Sequence, residues 1–427
     1  MARQPTAQLD ARIARGLAVA TLTIAASCAR PPTPSRTAPP VAATDARIVR
    51  VSLGRFVQAS IGATGAWQVV DRDGRVIARG DSTRRIRLSP GAGGTIRLSQ
   101  SGESDRVLTT APVVASSVTS AFVTLNGRRY RGALQVASTD TTVHVVNSAD
   151  LEAYLRGVVP REIGVRRDNE RAAVEAQTVA ARSYAFTRLG NATRGFDLAS
   201  TTADQVYGGV DSENALADAA IAATAGLVLY YGDRVISGQY YSTCGGSTAE
   251  ASELWRSRDE PYLTRVSDRM GSTDRYYCDI APRFRWERSW RADTLATVIE
   301  RYLRTYAKAP MHPLGRVRGV AVERNTSSGR VATLRFDMDS GTYRVHGNDI
   351  RNVLRSPGGE SLNSTYFSSD VVTSADGRLL RLTVRGLGYG HGVGMCQWGA
   401  IGRARAGQDF RTILRTYYPG TRVARAY

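Results

Sequence analysis

Hydrophobic and polar residues alternate in short runs over residues 47–120, a pattern typical of strands that bury one face. Residues 48–53 and 95–99 are two such runs. Turn-forming residues separate them, as at 71–74, where two aspartates precede a glycine. This segment is therefore predicted to form a β-rich N-terminal domain.

Beyond residue 120 the pattern mixes strands with helices. Strand-like alternation recurs at 122–125 and 142–146, and is followed by the helical spacing of small and apolar residues. The predicted helices span residues 169–189, 214–225 and 293–306, and the predicted β-meander spans residues 317–345. The fold class is α+β, in which residues 121–427 form antiparallel strands and several helices around a cleft.

The first 28 residues have the pattern of an export signal, with three arginines before an apolar run at 17–26. That run is too short to span a bilayer. Residues 25–28 resemble a lipoprotein cleavage box, which makes Cys28 a lipidation candidate and predicts a membrane anchor. Plain cleavage of the signal is the alternative.

Residues 29–46 form a proline-rich linker. Five prolines lie among serine, threonine and alanine over residues 30–44, a composition that resists both helix and sheet. Such a segment suits an extended tether. The resulting organisation is a signal at 1–28, a linker at 29–46, a β-rich domain at 47–120 and an α+β domain at 121–427.

The net charge of +19 raises the question of an anionic partner. Lys308 is the only lysine, so the positive charge is almost all arginine, and the arginines are scattered along the chain. No zinc-finger spacing or other nucleic-acid module accompanies them. The charge therefore predicts a solvated surface and no nucleic-acid partner, with attraction to an anionic wall polymer as the functional alternative.

Three cysteines follow the signal, and export would place them in an oxidising compartment. Three cannot all pair within one chain. We favour a disulfide between Cys244 and Cys278, which leaves Cys396 as a small buried thiol.

Several sequence blocks, in the right order over residues 127–423, resemble the SpoIID/LytB family. They include residues 151–162, ending in Pro160-Arg161-Glu162, and residues 241–248, with Cys244-Gly245-Gly246. Residues 388–400 are the most distinctive, because a glycine-rich loop with His391 leads into Gln397-Trp398-Gly399-Ala400. Residues 121–427 are thus identified as a SpoIID/LytB-like domain.

The resemblance implies peptidoglycan processing. The SpoIID branch cleaves glycan strands in sporulating bacteria, whereas the LytB branch stimulates a partner amidase. We therefore predict a lytic transglycosylase that acts on peptidoglycan glycan strands in cell-wall remodelling or sporulation. The alternatives are a non-catalytic enhancer of an N-acetylmuramoyl-L-alanine amidase and a purely structural wall-binding protein.

A lytic transglycosylase needs only one carboxyl group, because the 6-hydroxyl of N-acetylmuramic acid is the nucleophile. Glu162 aligns with the glutamate proposed as catalytic in the family. Val158, Val159, Pro160 and Ile163 surround it in the sequence, and an apolar pocket would raise its pKa. Capping or salt-bridging near the next helix is the structural alternative.

The remaining candidates are substrate-binding residues in the predicted helix at 169–189, in the loop after it and in two glycine-containing segments. Arg182 could bind a carboxylate or form an internal ion pair. For His391, a buried structural imidazole is the alternative. The full set is Arg182, Tyr184, Asp204, Gln205, Tyr207, Ser242, Thr243, Tyr389, His391, Gln397 and Trp398.

Neither a metal nor another cofactor is predicted. Some relatives bind zinc near residue 244 with histidine and cysteine, but Tyr241 stands here where they carry histidine. Cys244 and Cys278 alone cannot complete the usual four ligands. The predicted location is the cell envelope, with the anchored lipoprotein facing the periplasm or the cell wall.

Overall fold

The computed structural model describes residues 47–100, 105–108, 112–139, 141–190, 192–255 and 260–427. The predicted signal, the lipidation candidate Cys28 and the linker up to residue 46 lie outside the described residues. All described residues fall within one unit, Asp45–Tyr427. Each helix in the described part of the chain is too short or too polar to cross a membrane.

The described residues form several antiparallel sheets and eight α-helices, with a strand-rich N-terminal part, which confirms the predicted α+β class. In chain order the strands are β1 (Ile48–Phe56), β2 (Ala59–Ala63), β3 (Trp67–Val70), β4 (Val76–Gly80), β5 (Ile86–Pro90), β6 (Ile96–Gln100), β7 (Arg106–Leu108), β8 (Val113–Ser117), β9 (Val123–Leu125), β10 (Arg128–Tyr130), β11 (Ala133–Ser138), β12 (Val143–Asp150), β13 (Leu198–Ala199), β14 (Leu227–Tyr231), β15 (Arg234–Val235), β16 (Tyr240–Tyr241), β17 (Arg285–Arg291), β18 (Val317–Asn325), β19 (Val331–Met338), β20 (Gly341–His346), β21 (Phe367–Thr373), β22 (Leu379–Leu387), β23 (Met395–Cys396) and β24 (Arg422–Arg425). The helices are α1 (Leu151–Ile163), α2 (Arg171–Phe186), α3 (Ala215–Ala223), α4 (Ala251–Leu254), α5 (Ala292–Ala307), α6 (Asp349–Val353), α7 (Gln397–Arg405) and α8 (Phe410–Tyr417).

Two sheets contain most of the N-terminal strands. One has the order β13-β1-β12-β11-β8-β3-β4 and the other the order β10-β9-β2-β5-β6-β7. The alternation in β1 buries Val49 and Val51 in the first hydrophobic core, as the sequence pattern predicted. Both sheets continue across residue 120, because β1 pairs with β12 and β2 pairs with β9. The N-terminal strands therefore share sheets with the segment that follows them.

Helices α1 and α2 pack on this core and position the region of interest. The side chain of Asp150 accepts hydrogen bonds from the backbone N–H groups of Glu152 and Ala153, which caps the start of α1. Gly164, with a φ of 77°, ends it. α2 follows and is buried on nearly every side. The three helices predicted from spacing correspond to α2, α3 and α5.

A second hydrophobic core lies within residues 290–384. It is built from the sheets β17-β22-β21 and β18-β19-β20, with α5 and α6 packed against it. The β18-β19-β20 sheet is the predicted meander. α5 contributes Leu295, Ile299 and Leu303 at helical spacing, all fully buried. The described chain thus has two cores, and α6, which packs on the second core, also places polar residues at the candidate site.

Candidate functional site

A groove of about 570 Å³ is lined by residues on elements that pack against the first core and by residues of α6, which packs against the second. Its walls include the end of α1, the loop after α2, strand β16, the residue after α4, helix α6 and the glycine-rich loop before β23. Glu162 and His391 both line it, although 229 positions separate them in the sequence. The sequence placed Glu162 and the loop at 388–400 in one cleft, and the structure confirms this proximity.

Glu162 lies in the last turn of α1, between the buried side chains of Val159 and Ile163. Its Oε1 accepts a 2.6 Å hydrogen bond from the backbone N–H of Val206. Burial raises the pKa of Glu162 to about 7, although the Val206 hydrogen bond and the charge of Arg161 oppose the shift. The carboxyl group is therefore substantially protonated near neutral pH while it faces the groove.

Asp204 is the other acidic residue that lines this groove. Its Oδ1 accepts a 3.0 Å hydrogen bond from the hydroxyl of Tyr184, and its Oδ2 accepts one of 2.9 Å from the backbone N–H of Ala199. Arg188 lies 3.8 Å from Oδ1. These partners occupy both oxygens of Asp204, whereas the backbone N–H of Val206 bonds to only one oxygen of Glu162.

The glycine-rich loop is fixed to β16 and the segment after it by backbone pairing. Thr243 and Tyr389 exchange hydrogen bonds of 2.9 and 2.8 Å between their N–H and C=O groups. Gly390 has a φ of +117°, and a Cβ there would lie 2.8 Å from the Cβ of Tyr241. Only glycine therefore allows this close approach, which brings Tyr389 and His391 to the groove.

His391 uses both ring nitrogens inside the protein. Its Nδ1 accepts a hydrogen bond from the backbone N–H of Val393, so its Nε2 must carry the proton and donate to the carbonyl of Tyr240. Burial and the nearby charge of Arg351 lower its pKa to about 3. The imidazole is thus neutral, and its ring centroid lies 5.1 Å from those of Tyr241 and Trp255.

The sequence analysis missed the contribution of α6. Arg351, Asn348 and Asn352 line the groove, and burial lowers the pKa of Arg351 to about 10. Arg351 donates to the carbonyl of Leu362 and to the side-chain oxygen of Asn348. Nothing in the local sequence distinguishes these polar residues from surface residues. Their position depends on the packing of α6 onto the second core.

Comparison with known proteins assigns the chain to a family. A family model described as "Stage II sporulation protein" (SpoIID) matches residues 139–231, and one described as "Domain of unknown function (DUF8618)" matches residues 273–394. An uncharacterized protein of Brachyspira hyodysenteriae is 31% identical over 304 residues, covering 70% of this chain and 73% of that protein. The chain belongs to the SpoIID family.

Two Bacillus subtilis relatives carry functional names. The Stage II sporulation protein D is 28% identical over 298 residues, or 66% of this chain and 76% of that protein. The Amidase enhancer is 32% identical over 289 residues, or 62% of this chain and 40% of that protein. The chain therefore spans well under two thirds of the enhancer's length. Glu162 lies inside the SpoIID match, whereas α6 lies inside the second match.

Within this SpoIID-family chain, one predicted binding residue is placed away from the groove. Arg182 is fully buried, and its Nε and one terminal nitrogen donate 2.7 Å hydrogen bonds to the two carboxylate oxygens of Glu152. A carbonyl of Leu227 accepts a further hydrogen bond. Arg182 therefore forms the internal ion pair that the sequence analysis left open beside carboxylate binding.

Four other predicted binding residues lie behind the groove surface. Gln205 is fully buried and bonded to Tyr154 and Tyr240, and the hydroxyl of Tyr207 donates to Asn147 in the first core. Thr243 is buried, and Trp398 packs against the core with the Arg166 guanidinium 5.2 Å from its ring centroid. These four residues support the groove without lining it. The predicted residues that line it are Glu162, Tyr184, Asp204, Ser242, Tyr389, His391 and Gln397.

The predicted disulfide is not formed in the structure. Cys244 and Cys278 are free thiols whose sulfur atoms lie 3.3 Å apart, whereas a disulfide requires about 2.0 Å. Cys396 is also free and buried, as predicted, but it lies beside the other two rather than alone. The sequence could not show this, because the three cysteines come from segments far apart in the chain.

Proposed function

We propose that this chain is an exported cell-envelope protein that cleaves peptidoglycan glycan strands by a lytic transglycosylase mechanism. The observation that carries the proposal is the environment of Glu162, a carboxyl group that lines the groove and whose pKa burial raises to about 7. An acid that is protonated near neutral pH can protonate a leaving group. The relatives named Stage II sporulation protein D support a cell-wall-related role in sporulation.

The proposed reaction needs no water. Glu162 donates its proton to the glycosidic oxygen, and the bond between that oxygen and C1 of N-acetylmuramic acid breaks. The 6-hydroxyl of the same sugar then attacks C1, and the resulting carboxylate of Glu162 accepts the hydroxyl proton. The products are a 1,6-anhydromuramyl end and a free 4-hydroxyl. Glu162 returns to its protonated form, so one carboxyl group completes the cycle.

The remainder of the groove supplies the contacts that a sugar requires. Tyr389 and Trp255 offer aromatic faces, and Asn348, Asn352 and Arg351 offer hydrogen-bond donors. His391 is excluded as the base, since both its nitrogens already have protein partners. Asp204 lines the groove while it accepts hydrogen bonds from Tyr184 and Ala199, and it is suited to orient a sugar hydroxyl.

Stimulation of an amidase is the second candidate function. The relative named Amidase enhancer is 32% identical to this chain and favours this function. In this alternative the groove binds glycan without cleaving it, and the acidity of Glu162 has no catalytic use. With either function, we also propose a role in sporulation, association with a wall amidase and a lipid anchor at Cys28.

The test is the product formed from peptide-free glycan strands by the purified chain. We expect 1,6-anhydromuramyl ends, detected by mass spectrometry, and no such ends with Glu162→Gln. Stimulation of a wall amidase by both proteins on peptide-bearing peptidoglycan, without anhydro product from either protein on the peptide-free strands, would establish the enhancer instead. Reducing ends without anhydro groups would indicate hydrolysis and would overturn the proposed mechanism.

A further inference from the structure

Three thiols and one carboxyl group meet in the first core, outside the groove. Their ligand atoms all lie within 4.8 Å of one another, and all four side chains are buried. We name this set the buried thiol cluster: Cys244, Asp268, Cys278 and Cys396. The proposed glycan chemistry uses none of them.

We propose that the buried thiol cluster is a structural zinc site with three thiolate ligands and one carboxylate ligand. Structural zinc sites take four protein ligands in a tetrahedron, with cysteine sulfur preferred and carboxylate oxygen accepted. The cluster supplies that number and type of ligands. This ligand set contains no histidine. Tyr241 stands where some relatives carry histidine, and its hydroxyl has no hydrogen-bond partner among the described residues.

The spacing of the ligand atoms fits a tetrahedron. With zinc–sulfur bonds of about 2.3 Å, two sulfur ligands of a tetrahedral ion lie about 3.7 Å apart. The sulfur atoms of Cys244 and Cys278 are 3.3 Å apart, and Cys244 Sγ lies 3.6 Å from Asp268 Oδ2. Small outward movements of the sulfur atoms would therefore make room for a zinc ion.

The surroundings orient the carboxylate of Asp268. Its Oδ1 accepts a 2.7 Å hydrogen bond from the hydroxyl of Tyr417 and two from Arg403, at 3.2 and 3.3 Å. Its Oδ2 is thereby left directed at the sulfur atoms. Such outer hydrogen bonds commonly fix the ligands of a metal. Gly399 preserves the arrangement, since a Cβ there would lie 2.5 Å from Oδ2.

Backbone donors are directed at one of the sulfurs. The N–H groups of Cys244 and Gly399 lie 3.1 and 3.2 Å from Cys396 Sγ, which caps the start of α7. Amide donors and a helix N-terminus both stabilise a thiolate. Among the described residues, Arg403 is the only cation bonded to a ligand side chain of the cluster, whereas Arg330 donates to the backbone carbonyl of Cys244. A divalent cation would neutralise the further negative charge that four ionised ligands create.

The site would join three segments directly behind the groove. Cys244 and Cys396 adjoin the parallel pair β16 and β23, whereas Asp268 and Cys278 lie on the loop that packs against α7. Ser242 and Gln397, which line the groove, are each within two residues of a ligand. Bound zinc would therefore hold the floor of the groove in place. A disulfide between Cys244 and Cys278 would join only two of the three cysteines and would leave Cys396 unattached.

The decisive measurement is the metal and thiol content of the full chain, purified without chelator or reductant. We expect one zinc per chain by plasma mass spectrometry and, after denaturation with chelator, alkylation of all three cluster cysteines. Cobalt substitution should give thiolate charge-transfer absorption and the intense visible bands of a tetrahedral ion. A chain without zinc, whether its three thiols are free or Cys244 and Cys278 form a disulfide, would overturn the proposal.

Three variants show where the metal binds. Two of them keep every ligand, so the test does not depend on whether a ligand variant folds. Cys278→Ser should lower the zinc content more than about tenfold, whereas Cys28→Ser, at the one other cysteine, should leave it unchanged. Tyr417→Phe keeps every ligand and should weaken zinc affinity about tenfold to a hundredfold in a competition titration. Unchanged affinity in Tyr417→Phe together with unchanged zinc in Cys278→Ser would place the metal elsewhere. None of these readouts depends on glycan cleavage.

Discussion

The backbone N–H of Val206 donates a 2.6 Å hydrogen bond to Oε1 of Glu162 across the wall of the groove. This bond fixes the orientation of a carboxyl group whose pKa burial has raised to about 7. It also occupies only one of the two carboxyl oxygens. The other oxygen can therefore carry the proton, which explains how Glu162 can be both held in place and acidic.

Replacement of Glu162 by glutamine should abolish cleavage while the fold is retained. The amide oxygen can still accept the Val206 hydrogen bond, but the amide cannot donate an acidic proton. General acid catalysis contributes about 100-fold to 10,000-fold, so anhydro product should fall at least 100-fold. The matched control is Glu175→Gln, which removes a carboxylate paired with Arg171 on α2, and it should retain full activity. Equal activity of both variants would remove Glu162 from the mechanism.

The rate should fall as pH rises through about 7. The reactive form of Glu162 is protonated, and its raised pKa places the loss of the proton near neutrality. The profile of kcat/KM on glycan strands, measured from pH 5 to 9, should show a descending limb centred near 7. A limb near 4.5, the ordinary value for glutamate, would show that the buried environment does not act on this residue.

Glu162 should also make stability depend on pH. Its folded pKa of about 7 lies above the ordinary 4.5, so its favourable contribution is complete below 4.5 and is lost as pH rises through 7. The shift corresponds to about 3 kcal/mol. The free energy of unfolding of Glu162→Gln, relative to the unchanged chain, should therefore rise by about that amount between pH 4 and pH 8 in urea titrations. No difference between the two proteins over this range would contradict the raised pKa.

Arg182 should be required for stability and not for glycan binding. Arg182→Met would leave Glu152 without its buried partner, which costs about 3–5 kcal/mol in comparable pairs. The control, Arg171→Met, breaks an exposed ion pair on the same helix and should cost less than about 1 kcal/mol. Urea titration measures both. A stable Arg182→Met protein that no longer binds glycan would restore the sequence-based assignment.

The fold class and the proximity of Glu162 to the glycine-rich loop could be predicted because each depends on local pattern or on motif order. Strand alternation buries Val49 and Val51, and helical spacing located α2, α3 and α5. The family resemblance placed both motifs in one cleft.

The positions that the sequence did not reveal depend on packing that local sequence does not encode. α2 is buried on nearly every side, so Arg182 faces the interior although arginines are usually exposed. Arg351 reaches the groove only because α6 packs on the second core. The cysteines meet through β16, β23 and a loop, three segments whose contacts are not local. Each of these positions depends on tertiary contacts between distant segments.

Trp255 should bind sugar and Trp398 should not, although the sequence analysis selected only Trp398. Trp255 lines the groove beside His391, at 5.1 Å between ring centroids, whereas Trp398 packs on the core under Arg166. Trp255→Leu should raise the Kd for peptide-free glycan about tenfold, or about 1.4 kcal/mol. Trp398→Leu should leave the Kd within about twofold, even if it lowers the melting temperature. Binding of both variants is measured by calorimetry with chains that also carry Glu162→Gln, so that the glycan stays intact. The reverse ranking would mean that sugars bind on the far side of the glycine-rich loop, and the groove would lose its assignment.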